Sequence, residues 1–463
     1  MSTKELNTMT DVQPQSLFGT DGIRGMANQW PMTAELAMAV GRATAHICRR
    51  HSRRHRILIG KDTRLSGYML EHALTAGICS MGVDVELVGP IPTPGIAFLT
   101  HSMRADAGIV ISASHNPFRD NGIKIFSGDG FKISDMLEAE IEGLVASGHL
   151  GDSCPTAEGI GKAHRIEDAL GRYIVFCKNT FPGNLRLDGL KLVLDCGNGA
   201  TYKAAPLIFY ELGADVIALN DKPDGRNIND NCGSQFTDAL AARVRETGAN
   251  VGLAFDGDGD RLIVVDEHGT TLTGDHVLAI CARDMLEQDR LTNRHVVVTP
   301  MSNQGLRVAL DDMGITHEDA DVGDRNVLAR MMATGASLGG EQSGHIIFTD
   351  YHTTGDGIVS GLQLLAIMQR TGQPLSILAS MMQLMPQVLI NIPVTAKPAF
   401  TEIESLQATT DTIQEDLSGN GRVMIRYSGT ELLCRVMVEC TDERQTGDYA
   451  ERLADIIRTA IGQ

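Results

Sequence analysis

Ala107-Gly108-Ile109-Val110-Ile111-Ser112-Ala113-Ser114-His115-Asn116-Pro117 joins an unbroken apolar run to a polar turn, and that junction decides how the chain folds. A short apolar segment bounded by turn residues reads as a strand buried on both faces, as in a parallel sheet. Asn116-Pro117 then forces a turn. Open α/β sheets bind ligands outside the carboxyl ends of their strands, so a serine of this turn can face a ligand with His115 near it as a potential proton-transfer group. A serine in such a turn can equally bond nearby backbone. Other loops must supply the rest of the chemistry.

Outward from this junction the same alternation recurs, which predicts repeated βαβ units with mixed, largely parallel sheets. Strand-like runs at Ile57 to Gly60, Val83 to Val88 and Ala107 to Ser112 enclose a helical pattern at Tyr68 to Met81. A second set runs through Lys191 to Asp195, Ala214 to Ala218 and Val251 to Phe255, with a helix at Asp238 to Glu246 and a loop Cys196-Gly197-Asn198-Gly199-Ala200 after its first strand. A third comprises His295 to Thr299, a helix from Gln304 to Met313, a glycine-rich loop at Gly339 to Gly344, and Ile346 to Phe348. The end of the chain differs. Met385 to Val394, Arg422 to Tyr427 and Leu433 to Cys440 read as strands and Arg444 to Ile461 as a helix, an α+β module. Segments near Gly151 to Gly161 and Pro386 to Pro398 read as linkers.

A chain of 463 residues exceeds one hydrophobic core, and its length suggests roughly three or four domains. The formal charge of −18 argues against general affinity for nucleic acid or anionic membrane. The one basic block, Arg49-Arg50-His51-Ser52-Arg53-Arg54-His55-Arg56, reads as a solvated helix end. Nine cysteines without a C-x-x-C pair argue for reduced thiols in the cytoplasm and against a zinc site. No apolar run reaches the ~20 residues that cross a bilayer.

Asp256-Gly257-Asp258-Gly259-Asp260-Arg261 follows a strand and sets three carboxylates at alternate positions, a hard-cation signal suited to Mg²⁺. A calcium EF-hand shares part of this spacing, including Glu267, but needs glycine at its sixth position, where this chain has Arg261. A plain hairpin turn is the structural alternative, although three adjacent carboxylates repel one another unless a cation compensates. Arg426-Tyr427-Ser428-Gly429-Thr430-Glu431, with Arg435 downstream, offers guanidinium forks, hydroxyls and a glycine turn suited to a phosphate, or else forms a simple turn. Gly340-Glu341-Gln342-Ser343-Gly344-His345 has the mixed polarity that suits sugar hydroxyls, Glu341 and Ser343 above all, or a structural polar loop. Near the start, Phe18-Gly19-Thr20-Asp21-Gly22-Ile23-Arg24-Gly25 sets Arg24 in a glycine-rich loop, for phosphate contact or for a turn.

Together these loops resemble, in order, the serine, metal, sugar and phosphate loops of the α-D-phosphohexomutase superfamily, and within it the bacterial branch acting on glucosamine phosphates. Gly60-Lys61-Asp62-Thr63-Arg64-Leu65-Ser66-Gly67 and Thr354-Gly355-Asp356-Gly357 match as well, so the resemblance covers essentially Ser16 to the carboxyl end. It implies four domains around a central cleft: 1–165 with the phosphoserine loop, 166–265 with the metal loop, 266–383 with the sugar loop and 384–463 with the phosphate loop. It implies that Ser114 carries the phosphate, that Asp256, Asp258 and Asp260 hold one Mg²⁺ with a phosphoserine oxygen, and that Arg24, Lys124 and Arg261 neutralise charge. Proton transfer falls to Lys124 or His115. Glu341, Ser343 and His345 face the sugar, while Arg426, Ser428, Gly429, Thr430 and Arg435 grip the phosphate that is not reacting. The implied reaction interconverts glucosamine 6-phosphate and 1-phosphate through a bound glucosamine 1,6-bisphosphate, feeding UDP-N-acetylglucosamine and cell-wall synthesis. The alternatives are a mannose or glucose phosphate mutase, or a non-catalytic sugar-phosphate binder. The partner is a small sugar phosphate, with neither nucleic acid nor membrane, and a homodimer is allowed. Four departures stand out: Tyr427 and Leu432 replace prolines of the family's phosphate loop, Asp321 replaces a lysine, and Asn326 replaces a tyrosine.

Overall fold

The computed structural model describes residues 16–19, 21–49, 54–418, 421–428 and 432–462. The amino-terminal unit contains β1 (Ile23–Met26), α1 (Ala34–Cys48), β2 (Arg56–Lys61), α2 (Ser66–Ser80), β3 (Asp84–Pro90), α3 (Thr93–Ser102), β4 (Ala107–Ile111), β5 (Asp120–Ser127), α4 (Asp135–Ser147) and β6 (Ala163–Arg165). Its six strands lie in the order β1-β5-β4-β2-β3-β6. The neighbours β4, β2, β3 and β6 pair in parallel, whereas β5 runs antiparallel to β1 and β4. All five residues of β4 are buried, as expected of an inner strand covered on both faces.

The second unit contains α5 (Ala169–Thr180), β7 (Lys191–Asp195), α6 (Ala204–Glu211), β8 (Asp215–Leu219), α7 (Asp238–Thr247), β9 (Val251–Phe255), β10 (Leu262–Val265) and β11 (Thr271–Leu272), with strand order β11-β10-β9-β7-β8. The third contains α8 (Gly274–Glu287), β12 (His295–Val298), α9 (Gln304–Asp312), β13 (Thr316–Asp319), α10 (Asp324–Thr334), β14 (Leu338–Gly340), β15 (Ile346–Phe348), α11 (Gly357–Thr371) and α12 (Leu375–Ala379), ordered β13-β12-β14-β15. In both, a parallel core of strands carries an antiparallel margin. The last unit contains β16 (Gln387–Pro393), α13 (Glu404–Leu417), β17 (Gly421–Tyr427), β18 (Leu433–Cys440) and α14 (Glu443–Ile461), its sheet antiparallel in the order β16-β18-β17.

One continuous apolar core joins the first three units and includes Ile96 and Leu99 of α3, Tyr173 and Cys177 of α5, Phe209 of α6, Leu278 of α8 and Leu362 of α11. The last unit has a separate core built from Ile413, Val436, Leu453 and Ile457. In α14 the buried Ala450, Leu453, Ala454 and Ile457 recur at helical spacing, and Asp442 caps its amino end. The joint between the third and last units is polar. Asn303 bonds both ways with the Met385 backbone, at 3.0 and 2.9 Å, and donates to Glu439 at 3.1 Å, which in turn receives Arg422 Nε at 2.6 Å.

Four local expectations change. The segment Pro386 to Pro398 is mostly β16, hydrogen-bonded to β18, rather than a linker. Gly151 to Gly161 forms short 3-10 turns tied to α2, where the Gly161 amide donates to Cys79 O at 2.9 Å. Gly339 and Gly340 belong to β14, pairing with Ile347 and Ile346, so the sugar loop starts later. The basic block is not simply solvated: Arg54 meets Asp84 at 2.6 Å, buried His55 lies 3.1 Å from Asp106, and Arg56 lies 3.2 Å from Glu86. Those acids come from the neighbouring β3 and the approach to β4, which local reading of the block cannot reveal. Arg50 to Arg53 lie outside the described residues.

Candidate active site

The carboxyl ends of β4, β9 and β14 converge: the loop after β4 bonds the loop after β9 through Ser114 and Asp256, and Leu262 N ties the latter to Gly344 of the loop after β14. Ser114 leaves β4 with φ +50°, a left-handed conformation that costs a residue other than glycine about 1–3 kcal/mol. Its side chain is almost fully buried, and Oγ donates to Asp256 Oδ2 at 2.6 Å while lying 3.3 Å from His115 Nδ1. Because β5 pairs antiparallel with β4, Lys124 stands opposite Val110, and its ammonium reaches the aspartates that follow β9.

Asp256, Asp258 and Asp260 follow β9, and one carboxylate oxygen from each lies within 4.8 Å of the others. All three are buried, and Asp258 Oδ1 and Asp260 Oδ1 have no hydrogen-bond partner. Burial, together with the charges of Asp260 and Asp258, pushes the Asp256 carboxyl well above the usual range. Burial also opposes charge on Asp260, but Lys124, His345 and Arg261 outweigh it and hold that carboxyl low. Two orphaned carboxylate oxygens in a crowded acidic trio fit a hard divalent cation bound through oxygen.

Lys124 lies 3.0 Å from Asp258 Oδ2, 3.1 Å from Asp21 Oδ2 and 3.7 Å from Asp260 Oδ2. Burial works against its charge, yet these carboxylates prevail and raise its pKa, so the ammonium stays protonated. His115 is the reverse case: burial, then Arg261 and Arg24, depress it to about 4, leaving a neutral ring at pH 7. Arg24 pairs with Asp21, and Arg24 and Arg261, whose buried Nε atoms make no hydrogen bond, both line a cleft of about 1090 Å³. Unused guanidinium donors beside a cavity suit an anionic ligand.

In the sugar loop Glu341 Oε1 accepts from Gly323 N at 3.0 Å, and Ser343 Oγ donates to Glu341 Oε2 at 3.3 Å. His345 is a buried strut beneath the cleft. Its Nε2 accepts from Gly355 N at 3.0 Å, and its Nδ1 lies 3.7 Å from Asp260. Leu262 N donates to Gly344 O at 3.0 Å, which stitches the sugar loop to the metal loop.

In the last unit Arg426 and Arg435 stand directly opposite each other on β17 and β18. This register sets two guanidinium groups side by side on one face of the sheet. The Ser428 carbonyl accepts from Lys397 Nζ at 2.6 Å. Gly429 and Thr430 lie outside the described residues. Where a proline was expected, Tyr427 stacks on Phe400 at 4.4 Å and donates its hydroxyl to Pro398 O at 2.9 Å, which stiffens the strand end by packing. Leu432 is half exposed. Asp321 is exposed, while the adjacent Asp324 and Arg325 latch the third unit to the first through Lys132, Asp135 and Glu138.

Local sequence reading missed several contributors. Thr93, at the start of α3, donates to Asp258 Oδ2 at 2.7 Å; Asp21 bridges Arg24, Lys124 and Lys132. Arg64 and Asn229 hold the serine loop from behind. Only Arg64 and Asp21 sat in motifs already singled out, and neither motif specified a partner.

Four sheets, three of them delivering a serine, an aspartate trio and a polar loop to one cleft, define a phosphohexomutase. The sequence matches the phosphoglucomutase/phosphomannomutase alpha/beta/alpha domains I, II and III over residues 15–151, 172–269 and 273–385, and the C-terminal domain of that family over 389–456; the chain belongs to this family. Its curated relatives include the phosphoglucosamine mutase of Syntrophus aciditrophicus, 57% identical over 96% of this chain and 99% of that protein. That of Syntrophotalea carbinolica is also 57% identical, over 97% and 98%. Among solved structures, a phosphoglucomutase/phosphomannomutase family protein from Burkholderia thailandensis superposes with a TM-score of 0.80 at 26% identity, covering 96% of this chain and 97% of that one.

Proposed function

We propose that this protein is an isomerase that interconverts glucosamine 6-phosphate and glucosamine 1-phosphate, with Ser114 as the phosphate carrier. The observation that carries this reading is the buried Ser114 Oγ bonded to Asp256 beside two orphaned carboxylate oxygens, within reach of an anion-ready cleft. A Mg²⁺ ion held by Asp256, Asp258 and Asp260 with an oxygen of phosphoserine would neutralise charge that builds on the transferring phosphoryl group.

The residues of this chain do the rest. The free sugar oxygen attacks the phosphorus of phosphoserine and passes its proton to neutral His115, while the bond from phosphorus to Ser114 Oγ breaks and Oγ takes up that proton from His115, leaving a bound 1,6-bisphosphate. After the sugar turns over, Ser114 Oγ attacks the other phosphorus and passes its proton to His115, the bond from that phosphorus to the sugar oxygen breaks, and the sugar oxygen takes up the proton as a hydroxyl. Lys124 is held protonated, so it serves as a fixed cation. His115 is neutral, with Nδ1 3.3 Å from Ser114 Oγ, and is suited to exchange the serine proton. Arg24 and Arg261 face phosphate oxygens, Glu341 and Ser343 face sugar hydroxyls, and Arg426 with Arg435 holds the idle phosphate. Among the described residues none of the nine cysteines is joined in a disulfide, which fits a reducing cytoplasm. Among the described residues no helix is long and apolar enough to cross a membrane.

Purified protein with Mg²⁺, a trace of 1,6-bisphosphate and glucosamine 6-phosphate is expected to form the 1-phosphate, faster than it converts the glucose or mannose analogues. Ser114→Ala should form none, and intact-mass analysis should find phosphate on Ser114. Equal turnover by S114A would reject the reading.

A further inference from the structure

We infer that Arg64 and Asn229 are positioning residues that lock Ser114 in its left-handed conformation, each acting from a different unit of the fold. The inference rests on Ser114 being the phosphate carrier and adds what aims it. Serine seldom holds a φ of +50° unless surrounding bonds over-determine it. Here both sides of the residue are tied. The Ser114 carbonyl accepts from Arg64 Nη2 and from Asn229 Nδ2, both at 2.9 Å. The Asn116 carbonyl accepts from the same two groups, at 2.8 and 3.1 Å. On the other side, Ser114 N donates to Ser112 Oγ at 2.9 Å, and Ser112 Oγ donates to Asp62 Oδ2 at 2.6 Å. Asp62 receives Arg64 Nε at 2.8 Å, which closes the circuit.

Arg64 is completely buried and spends its remaining donors on the carbonyls of Pro117 and Asp120. A planar guanidinium can serve several acceptors in one fixed geometry, whereas a lysine ammonium cannot reproduce that fork. Asn229 belongs to the second unit, whose metal loop must meet the serine. Its amide therefore aligns the serine loop of the first unit with the aspartates of the second. A β-carbon on Gly257 would come 2.6 Å from Ser114 O and 2.7 Å from Asn229 Nδ2, so the metal loop leaves no slack around this contact.

A phosphate carrier must return its Oγ to the same point relative to the metal trio in both half-reactions, since small displacements there cost large factors in rate. Asn229→Ala removes two donors while leaving the buried Arg64 to support the fold, so it is the primary test; Arg64→Lys is the second. Both are measured by steady-state kinetics, by phosphate occupancy of Ser114, and by the ³¹P chemical shift of phosphoserine. Asn229→Ala should lower kcat by roughly 10- to 100-fold with KM for glucosamine 6-phosphate within about twofold, and should shift or broaden the ³¹P signal. Arg64→Lys should do the same more strongly, even in the fraction that remains folded by circular dichroism. An unshifted ³¹P signal with wild-type kcat per folded molecule in Asn229→Ala would overturn the inference. A fall in kcat that only tracks lost folded protein would overturn it too. Ser114→Ala separates the two levels. If that variant keeps activity, the carrier assignment fails; if it is dead while Asn229→Ala is fully active, only the positioning role fails.

Discussion

Lys124 concentrates the electrostatic problem of the site in one side chain. The side chain is only 2% exposed, and its ammonium meets carboxylates of Asp21 and Asp258 within 3.1 Å. Removing one partner of such a buried cluster leaves uncompensated charge, at a cost of about 3–5 kcal/mol. In Lys124→Met the neighbouring carboxylates should therefore take up protons near neutrality and hold a divalent cation differently. We expect kcat at saturating Mg²⁺ to fall by about 100-fold or more, with the pH optimum displaced upward. A fall of less than roughly threefold in a pH-resolved kinetic series would contradict the role of fixed cation. Tyr427 teaches a different lesson at this scale: ring stacking and one hydroxyl bond supply the rigidity that a proline would otherwise give.

Between elements, the two loops of the second sheet stand back to back. The Cys196 to Ala200 loop after β7 packs on the metal loop after β9, where Ala200 N donates to Gly257 O at 2.8 Å. A β-carbon on Gly199 would lie 2.4 Å from Gly257 O and 2.6 Å from Gly257 Cα, both rigid backbone atoms. Gly199→Ala must therefore push the metal loop outward, an overpacking cost of about 1–3 kcal/mol. The expected result is a metal affinity weakened about 10-fold, with a modest fall in melting temperature. Metal titration against activity would check it, and an unchanged affinity would show that the loop yields elsewhere. The sequence marked this glycine-rich loop as the end of a strand but gave no sign that it buttresses the aspartates.

At the scale of the whole molecule, His352 joins three units. Its Nδ1 accepts from Thr353 N at 2.8 Å and its Nε2 faces Pro94 O at 2.8 Å, which fixes the neutral tautomer with the proton on Nε2. The ring meets Phe176 of α5 edge-on at 5.3 Å. Burial depresses its pKa to about 4 from 6.5. Between those values the unfolded chain binds more protons than the folded one, so stability falls as pH drops from about 6.5 towards 4 and rises with pH across the same window. A shift of this size corresponds to about 3 kcal/mol. His352→Gln should flatten the pH dependence of urea unfolding between pH 6.5 and 4. An equally steep dependence in the variant would assign the acid sensitivity to other groups. The last unit stands apart because its core is its own and its joint to the third unit is polar.

What the sequence determined by itself was local. Ser114, the three aspartates and the Glu341 loop were legible because each group lies within a few residues of its neighbours at a strand end, where period and turn chemistry are written into adjacent positions. The family resemblance extended this reading to the order of the four units and to the reaction. Tertiary structure decided the contacts that cross the chain. Arg64 reaches Ser114 O across 50 residues and Asn229 reaches it across 115, so no spacing rule could connect them. The opposition of Arg426 and Arg435 depends on strand register, and the neutralisation of Arg54 to Arg56 depends on which strands lie alongside. The physical reason is the same throughout: residue type and local period specify what a segment can become, whereas burial, charge compensation and backbone strain exist only once separate segments share one interior.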